Sequence, residues 1–186
     1  MISAILLAAG LSRRMGQDKL LLDYKGMTML ERAVKLLDSL PCQEKIIVST
    51  SKCLDTVILP KDILPVVNLM PEAGQSESLR LGLKVATGDF FLFLNADQPR
   101  LTSDSLLGMF ELVNENPGKI IYPIVDGEPT TPVLFPACLR DMLMTQRGDT
   151  GGRSVRDAGP KVVFVPENPG DFVDVDCEED YRVLTI

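Results

Sequence analysis

The segment that most constrains the fold is Ile2–Ala8, an apolar run with almost no polar side chains. Such a run is typical of a strand buried on both faces, as in a parallel sheet. It passes into Ala8-Ala9-Gly10, where the small side chains let a ligand approach the main chain closely. Three cations follow, namely Arg13, Arg14 and Lys19. Backbone N–H groups beside such cations suit a polyphosphate, so the segment predicts a strand followed by a phosphate-binding loop.

Neither of the two best-known phosphate loops is present. A Walker A loop requires Gly-Lys-Ser/Thr, whereas residues 16–19 read Gly-Gln-Asp-Lys. A dinucleotide fingerprint requires a second glycine two residues after the first, and Gly10 is followed by Leu11 and Ser12. From these residues alone, a strand followed by a solvated basic turn is an equal alternative.

Length and composition limit the classes of protein that this chain can be. Its 186 residues fit one domain, 1–186, with a substantial core, and no apolar run reaches membrane-spanning length. The net charge of −7 argues against a nucleic-acid surface. The first apolar run is too short for a signal peptide and has no basic residue before it, so we expect a cytoplasmic protein.

Histidine is absent, and this excludes Ser-His-Asp and Cys-His catalysis. None of the four cysteines forms a Cys-x-x-Cys pair, which argues against a structural zinc site. The chemistry must therefore use carboxylates, cations, a metal or the ligand itself.

Strand and helix patterns alternate along the chain. Strands are predicted at residues 2–8, 45–49, 64–68, 89–95, 120–123, 132–135 and 161–166. Helices are predicted at residues 29–40, 75–86, 102–116, 137–145 and 153–158, with a last helix after residue 176. Thr28 and Glu31 have the spacing of a capping box, and residues 52–65 are expected to be irregular. The alternation predicts an α/β fold with a doubly wound, mostly parallel, Rossmann-like sheet, in which ligands bind beyond the carboxyl ends of the strands.

Asp97 follows the most apolar of these strands and is expected at the same sheet edge as the loop after residue 8. A carboxylate in this position is often only a turn former, but Pro99 and Thr102 already supply a turn and a helix cap. A hard divalent cation binds one or two carboxylates together with phosphate oxygens and waters. We therefore favour Asp97 as a metal ligand.

Two later segments are also candidates for the site. Asp174 and Asp176 alternate along a predicted strand end and should point to the same side, or else they form an acidic entry to the last helix. Residues 147–153 (Arg-Gly-Asp-Thr-Gly-Gly-Arg) combine glycines with two arginines, as a loop contacting a phosphorylated molecule would. From the residues alone, that segment is a flexible loop.

Taken together, these segments resemble a molybdenum-cofactor nucleotidyltransferase of the MobA-like family. The similarity rests on residues 7–19, 74–82, 96–99 (Ala-Asp-Gln-Pro), 148–153 and 174–181. Gln98 and the Gly-Asp-x-Gly-Gly-Arg block are more similar to the cytidylyltransferase branch than to the guanylyltransferase branch. Thr130-Thr131 departs from that branch, which commonly has Gly-His or Gly-Asn before the Pro-Val-Leu-Phe segment, and this departure concerns the acceptor side.

The resemblance implies transfer of CMP from CTP to the terminal phosphate of molybdopterin or molybdenum cofactor, with Mg²⁺. The implied catalytic residues are Arg14, Lys19 and Asp97. The implied nucleotide-binding residues are these three with Leu7, Ala8, Ala9, Gly10, Gly74, Gln75, Ser76 and Ser78. The implied acceptor-binding residues are Gly148, Asp149 and Arg153, and the implied metal ligands are Asp97 and Asp176, with Asp174 less favoured.

Other functions remain open from the sequence. GTP could replace CTP, or the acceptor could be another phosphorylated molecule. A different class is a non-catalytic nucleotide-binding regulator or insertion chaperone of a molybdenum hydroxylase, which is also a candidate partner of the enzyme.

Overall fold

The structure, a computed structural model, describes residues 1–12 and 15–185. The strands are β1 (Ile2–Ala8), β2 (Asp23–Tyr24), β3 (Met27–Thr28), β4 (Glu44–Ser49), β5 (Ile63–Val67), β6 (Phe90–Asn95), β7 (Ile120–Val125), β8 (Glu128–Pro129), β9 (Val133–Pro136) and β10 (Lys161–Phe164). The α-helices are α1 (Met29–Ser39), α2 (Ser51–Leu54), α3 (Gln75–Val85), α4 (Leu107–Glu115), α5 (Arg140–Met144), α6 (Arg153–Ala158) and α7 (Glu178–Thr185).

One large sheet organises the molecule, with the strand order β10-β7-β9-β6-β1-β4-β5 and with β8 paired to β7. The pairs β1–β4, β1–β6, β4–β5 and β7–β10 are parallel. Strand β9 runs antiparallel to both of its neighbours, β6 and β7. The α/β class and the mostly parallel sheet are therefore confirmed, and β2 and β3 form a separate hairpin.

Strand β1 lies in the middle of the sheet and is buried on both faces, as the apolar run predicts. Leu6 points into the core layer that also contains Leu37 of α1, whereas Ile5 points into the opposite layer with Leu83 of α3. Gly82 allows α3 to lie close to the sheet, because a Cβ at this position would be 2.5 Å from Cγ2 of Ile5. The packing of these layers holds α3 beside β1, which places the N-terminus of α3 near the carboxyl ends of the strands.

The capping box of α1 is confirmed. The Thr28 hydroxyl accepts a hydrogen bond from the Glu31 N–H at 3.1 Å, and the Glu31 carboxylate accepts one from the Thr28 N–H at 2.7 Å. This reciprocal pair satisfies two backbone donors that the helix itself leaves without partners.

Several predicted elements differ from the structure. The short helix α2 lies in a segment predicted to be irregular, because the Thr50 hydroxyl caps it by accepting from the Cys53 N–H. The predicted helix 102–116 begins as a 3₁₀ turn, Asp104–Leu106, before α4. The prediction that Asp174 and Asp176 lie on a strand end was wrong. Residues 173–176 are extended without strand pairing, and the Val175 N–H donates to the Asp97 carbonyl at 2.9 Å.

Across the described part of the chain, the helices are too short or too polar to cross a bilayer.

Candidate active site

Two adjoining cavities lie at the carboxyl ends of β1 and β6. The first has a volume of about 430 Å³ and the second about 310 Å³. Six residues line both cavities: Leu7, Gln75, Asn95, Asp97, Asp149 and Asp176. Ligands of an open α/β sheet bind at this edge, so the two cavities form a candidate site for two molecules that meet beside Asp97.

Local hydrogen bonds place Lys19 at the floor of the first cavity. Asp18 caps the 3₁₀ turn Lys19–Leu21 by accepting from the Leu20 N–H at 3.3 Å, and Leu20 itself is buried. The Lys19 N–H donates to the Ser12 hydroxyl at 3.1 Å. The backbone around Lys19 is thus held from both sides, which directs its long side chain inward.

The Lys19 ammonium connects two carboxylates that are far apart in sequence. Its Nζ donates to Oδ2 of Asp97 at 2.7 Å, to Oδ1 of Asp176 at 3.2 Å and to the Val175 carbonyl at 2.8 Å. Burial lowers the pKa of Lys19, but the charges of Asp97 and Asp176 and the hydrogen bonds to them outweigh this and raise it above its usual value. Lys19 is therefore a permanent cation in this site.

Asp174 has the most perturbed carboxylate of the site. Burial, followed by repulsion from Asp97 and Asp176, raises its pKa to about 7, although Lys19 acts in the opposite direction. Its Oδ1 is buried and has no hydrogen-bond partner among the described residues. Asp174 lines the second cavity, so this residue, ranked below Asp176 from the sequence, also belongs to the site.

Asp180 holds the main chain around Asp176. Its Oδ2 accepts from the N–H groups of Asp176 at 2.9 Å and Cys177 at 2.8 Å, at the entry to α7. These two bonds fix where the Asp176 side chain leaves the backbone. A hydrogen bond from the Cys177 side chain, followed by the bonds from the two N–H groups, holds the pKa of Asp180 below its usual value.

The carboxylates fit a divalent cation that arrives with a nucleotide. Among the described residues, there is no group of three or more acidic, histidine or cysteine side chains that could hold a metal alone. Asp97 and Asp176 share one ammonium as a partner, and Oδ1 of Asp97 is buried with no hydrogen-bond partner in the described chain. Mg²⁺ typically takes one or two protein carboxylates and completes its shell with phosphate oxygens and waters.

The N-terminus of α3 packs tightly against the segment of residues 148–152. A Cβ on Gly74 would lie 2.4 Å from the carbonyl carbon of Gly148. The Gln75 N–H donates to Oδ1 of Asp149 at 3.3 Å, and the Gln75 amide donates to Oδ1 of Asn95 at 3.0 Å. Asp149, predicted to contact the acceptor, therefore contacts Gln75, which was predicted to contact the nucleotide.

The predicted residues separate into three groups in the structure. The first cavity is lined by Leu7, Ala9, Gly10, Lys19, Gly74, Gln75, Ser78, Asp97, Asp149 and Asp176, and the second is also lined by Arg153. Ala8, Ser76 and Gly148 line neither cavity, because the first two are almost completely buried and Gly148 packs on Gly74. Arg13 and Arg14 lie outside the described residues.

Two residues with structural roles in the site, Asn95 and Gln98, were not predicted as site residues. The Asn95 amide donates to the Thr131 hydroxyl at 3.4 Å. The Gln98 amide donates to the carbonyls of Thr131 and Phe172, both at 3.1 Å. A polar residue closing an apolar strand was the visible signal for Asn95, whereas Gln98 was noticed only as a marker of one family branch.

Comparison with known proteins identifies the family. Residues 4–162 match the model of the MobA-like NTP transferase domain. The chain therefore belongs to the MobA-like NTP transferase family, whose members transfer nucleotides, and the class of protein inferred from the motifs is confirmed.

Relatives with different names share this domain. The chain is 28% identical to purine catabolism protein PucB of Bacillus subtilis, over 97% of this chain and 94% of that one. It is 30% identical to a probable molybdenum cofactor guanylyltransferase of Rhodopirellula baltica, over 87% and 82%. It is 31% identical to nicotine blue oxidoreductase of Paenarthrobacter nicotinovorans, over 98% and 96%.

Solved structures share the fold. Rv0371c of Mycobacterium tuberculosis superimposes with a TM-score of 0.81 at 22% identity, over 99% of this chain and 97% of that one. Its complex with manganese superimposes with a TM-score of 0.76 at 21% identity, over the same fractions. At these identities the comparison establishes the α/β nucleotidyltransferase fold.

Replacing Gly74 by alanine is expected to lower the free energy of unfolding by about 2–3 kcal/mol. The backbone at Gly74 has φ +91° and ψ 176°, a region that side chains disfavour by roughly 1–3 kcal/mol, and the new Cβ would also clash with Gly148. Urea denaturation measures the loss, and faster amide exchange at residues 148–150 would locate it.

Gly127→Ala is the matched control. Gly127 has a similar φ of +85°, but a Cβ there has no heavy atom within 4 Å. It should cost only about 1–2 kcal/mol, the strain of a left-handed residue, and leave exchange at residues 148–150 unchanged. Equal losses at the two glycines would contradict the packing described for Gly74.

Proposed function

We propose that this protein transfers CMP from CTP to the terminal phosphate of molybdopterin or molybdenum cofactor and releases pyrophosphate. The observation that carries the proposal is the pair of cavities that meet at Asp97 and Asp176. In this proposal CTP occupies the first cavity and the pterin phosphate enters from the second. The proposal places Asp97 where the CMP group passes from CTP to the acceptor phosphate.

The reaction needs no general base. An oxygen of the acceptor phosphate attacks the α-phosphorus of CTP, a new P–O–P bond forms, and the bond between the α- and β-phosphates breaks with pyrophosphate as the leaving group. A phosphate monoester has a second pKa of about 6, so the nucleophile is already ionised at neutral pH. A chain without histidine is compatible with this chemistry, because catalysis then consists of positioning and charge stabilisation.

The charged residues have distinct proposed roles. Lys19 and Arg14 stabilise negative charge on the α-phosphate and on the departing pyrophosphate. Asp97 and Asp176 would hold Mg²⁺, which would neutralise phosphate charge when bound. Two points support a bound Mg²⁺. Oδ1 of Asp97 is buried without a hydrogen-bond partner in the described chain, and Mg²⁺ needs only one or two protein carboxylates.

The remaining predicted residues orient the two substrates. In the proposal, Leu7, Ala8, Ala9 and Gly10 contact the nucleotide through the main chain, together with Gly74, Gln75, Ser76 and Ser78. The side chain of Ser78 is already engaged, since its hydroxyl accepts from the Asn68 amide at 2.9 Å. Gly148, Asp149 and Arg153 serve the acceptor, and of these Arg153 supplies the positive charge.

The choice of base has two candidates. CTP is supported by Gln98 and by the Gly-Asp-x-Gly-Gly-Arg block. GTP is supported by the name of the Rhodopirellula relative, a probable molybdenum cofactor guanylyltransferase that is 30% identical. A molybdenum hydroxylase that receives the finished dinucleotide cofactor is the proposed partner.

The test measures pyrophosphate release with each of the four nucleoside triphosphates and Mg²⁺, with and without molybdenum cofactor. We expect release only with CTP and only with the acceptor present. Release with GTP would replace cytidylyl by guanylyl transfer. Tight nucleotide binding without release under any condition would instead support a regulator or insertion chaperone and would overturn the enzymatic proposal.

A further inference from the structure

A basic groove lies outside the two cavities of the candidate active site. It has a volume of about 600 Å³ and lies between the β2–β3 hairpin, α1 and residues 99–103. Four cations line it: Lys25, Arg32, Lys35 and Arg100. Asp171 is the one acidic residue of its lining, and its carboxylate accepts a hydrogen bond from the Ser105 hydroxyl at 2.6 Å.

The concentration of positive charge is unusual for this chain. The chain has a net charge of −7, with 26 acidic and 19 basic residues, yet four of its cations converge on one groove. Within the described part of the chain, none of the four forms an ion pair with a carboxylate. Arg32 and Lys35 are one helical turn apart on α1, where like charges repel each other. An anion bound between them would relieve this repulsion.

Two of the four cations lie over the ring of Tyr24. Tyr24 is only 3% exposed as a residue, and the guanidinium of Arg32 and the ammonium of Lys25 lie 4.7 Å and 5.2 Å from the centroid of its ring. Arg32 is fixed further, because its Nε donates to the Tyr24 carbonyl at 2.6 Å and one terminal nitrogen donates to the Lys25 carbonyl at 3.2 Å. At least part of the charge is therefore held in place before any ligand binds.

The pKa of Tyr24 is affected by the positive charges around it. Burial raises the pKa of Tyr24, but hydrogen bonds from Arg100 and Lys25 and the charges of these residues outweigh it and lower the pKa overall. Negative charge is thus favoured at this position in the fold. This supports the geometric argument, which rests on the four converging cations.

We propose that this groove binds a phosphorylated small molecule that carries at least two negative charges. A concavity of several hundred Å³ is of the size that holds small ligands. Guanidinium groups match phosphate oxygens in pairs, and the hydroxyl of Ser103 adds a donor. Met27, Leu36 and Leu101 supply apolar surface for the body of such a ligand. This site is separate from the proposed transfer reaction and does not depend on it.

Calorimetry in the presence of EDTA tests the proposal, with inorganic pyrophosphate and a hexose bisphosphate as the two probes. The groove variant combines Lys25→Ala, Lys35→Ala and Arg100→Ala, and keeps Arg32 because it binds the backbone. The matched control removes three exposed cations elsewhere, with Lys52→Ala, Lys61→Ala and Lys84→Ala. We expect at least one probe to bind the control as it binds wild type, and to bind the groove variant at least about tenfold more weakly. If the bisphosphate binds more tightly than pyrophosphate, the ligand is an organic phosphate. If pyrophosphate binds more tightly, the ligand is an inorganic phosphate.

A second measurement locates the anion and remains valid if the triple variant misfolds. Side-chain Nε–H resonances of Arg32 and Arg100 should shift with either probe in wild type, and Lys35→Glu, an exposed single change, should weaken that shift. Equal binding of both triple variants, or a polyglutamate peptide binding where both phosphates fail, would overturn the proposal. Pyrophosphate is also the product of the proposed transfer and can bind the candidate active site, so only binding that the groove variant loses and the control keeps is assigned to the groove. The hexose bisphosphate arm and the Arg32 and Arg100 resonances do not depend on whether CTP is turned over.

Discussion

Asp97→Asn is expected to reduce pyrophosphate release by about 10³-fold or more, equivalent to roughly 4 kcal/mol of transition-state stabilisation. The amide has the same shape as the carboxylate but no charge, so it is a poor ligand for Mg²⁺ and cannot balance Lys19. Steady-state turnover with saturating CTP and acceptor measures the effect. Asp97→Ala should abolish turnover in the same way.

The fold should tolerate this change. Lys19 keeps its bonds to the Val175 carbonyl and to Asp176, so thermal unfolding of Asp97→Asn should stay close to wild type. Asp104→Asn makes the same chemical change at an exposed carboxylate outside both cavities and should keep full activity. Near-normal turnover of Asp97→Asn would remove this residue from the proposed mechanism.

Lys19→Met is expected to lower the free energy of unfolding by about 2 kcal/mol at pH 8 and to depress turnover as well. The side chains of Lys19 and Asp97 are only 12% and 18% exposed, and losing one partner of a fully buried pair costs about 3–5 kcal/mol. We expect a smaller loss of stability for Lys19→Met because the cavity admits water to the remaining carboxylates. Urea denaturation at several pH values measures it.

The pH dependence of Lys19→Met follows from the sign of the carboxylate shifts. Lys19 lowers the pKa of Asp174, so without the ammonium this already raised pKa is higher still in the folded state. A raised folded pKa means stability that is lost as pH increases through it. The deficit should therefore shrink at pH 5, below the pKa of about 7 of Asp174.

A double variant separates charge repulsion from lost packing. Adding Asp97→Asn to Lys19→Met removes one of the unpaired charges and should recover about half of the stability lost. If the two changes were simply additive, the bond between Lys19 and Asp97 would not be the source of the loss.

The transfer rate should respond to Lys19→Met independently of stability. The loss of a charge-assisted contact to phosphate oxygens is expected to cost about 2–4 kcal/mol in the transition state. An unchanged rate in the folded variant would contradict the role proposed for Lys19.

Local patterns predicted most of the fold correctly. The buried strand Ile2–Ala8 and helix Arg153–Ala158 have the predicted bounds, and the capping box of Thr28 forms as expected. These features depend on residues within a few positions of one another, so the sequence contains the whole signal. The position of β9 between β6 and β7 could not be predicted in this way, because it depends on pairing between segments about 40 residues apart.

The sequence predicted which residues lie at the candidate site better than it predicted which of them contact each other. The predicted sheet placed Lys19 and Asp97 at one edge, and the two side chains bond at 2.7 Å although they are 78 positions apart in sequence. The sequence marked Gly74 and Gly148 as separate motifs but contained no sign that they touch. The raised pKa of Asp174 depends on burial and on three neighbouring carboxylates, quantities that only the folded chain defines.

The reversed direction of β9 has a consequence for how such a chain can change its acceptor. Since β9 runs against β6, its first residue pairs with Phe93 near the carboxyl end of that strand, and the residues before β9 reach the sheet edge that carries the candidate site. Thr130 and Thr131 therefore line the second cavity without taking part in the parallel half of the sheet. Insertions or substitutions in this hairpin could remodel one substrate pocket while the nucleotide loop after β1 stays as it is, so the two specificities can diverge separately.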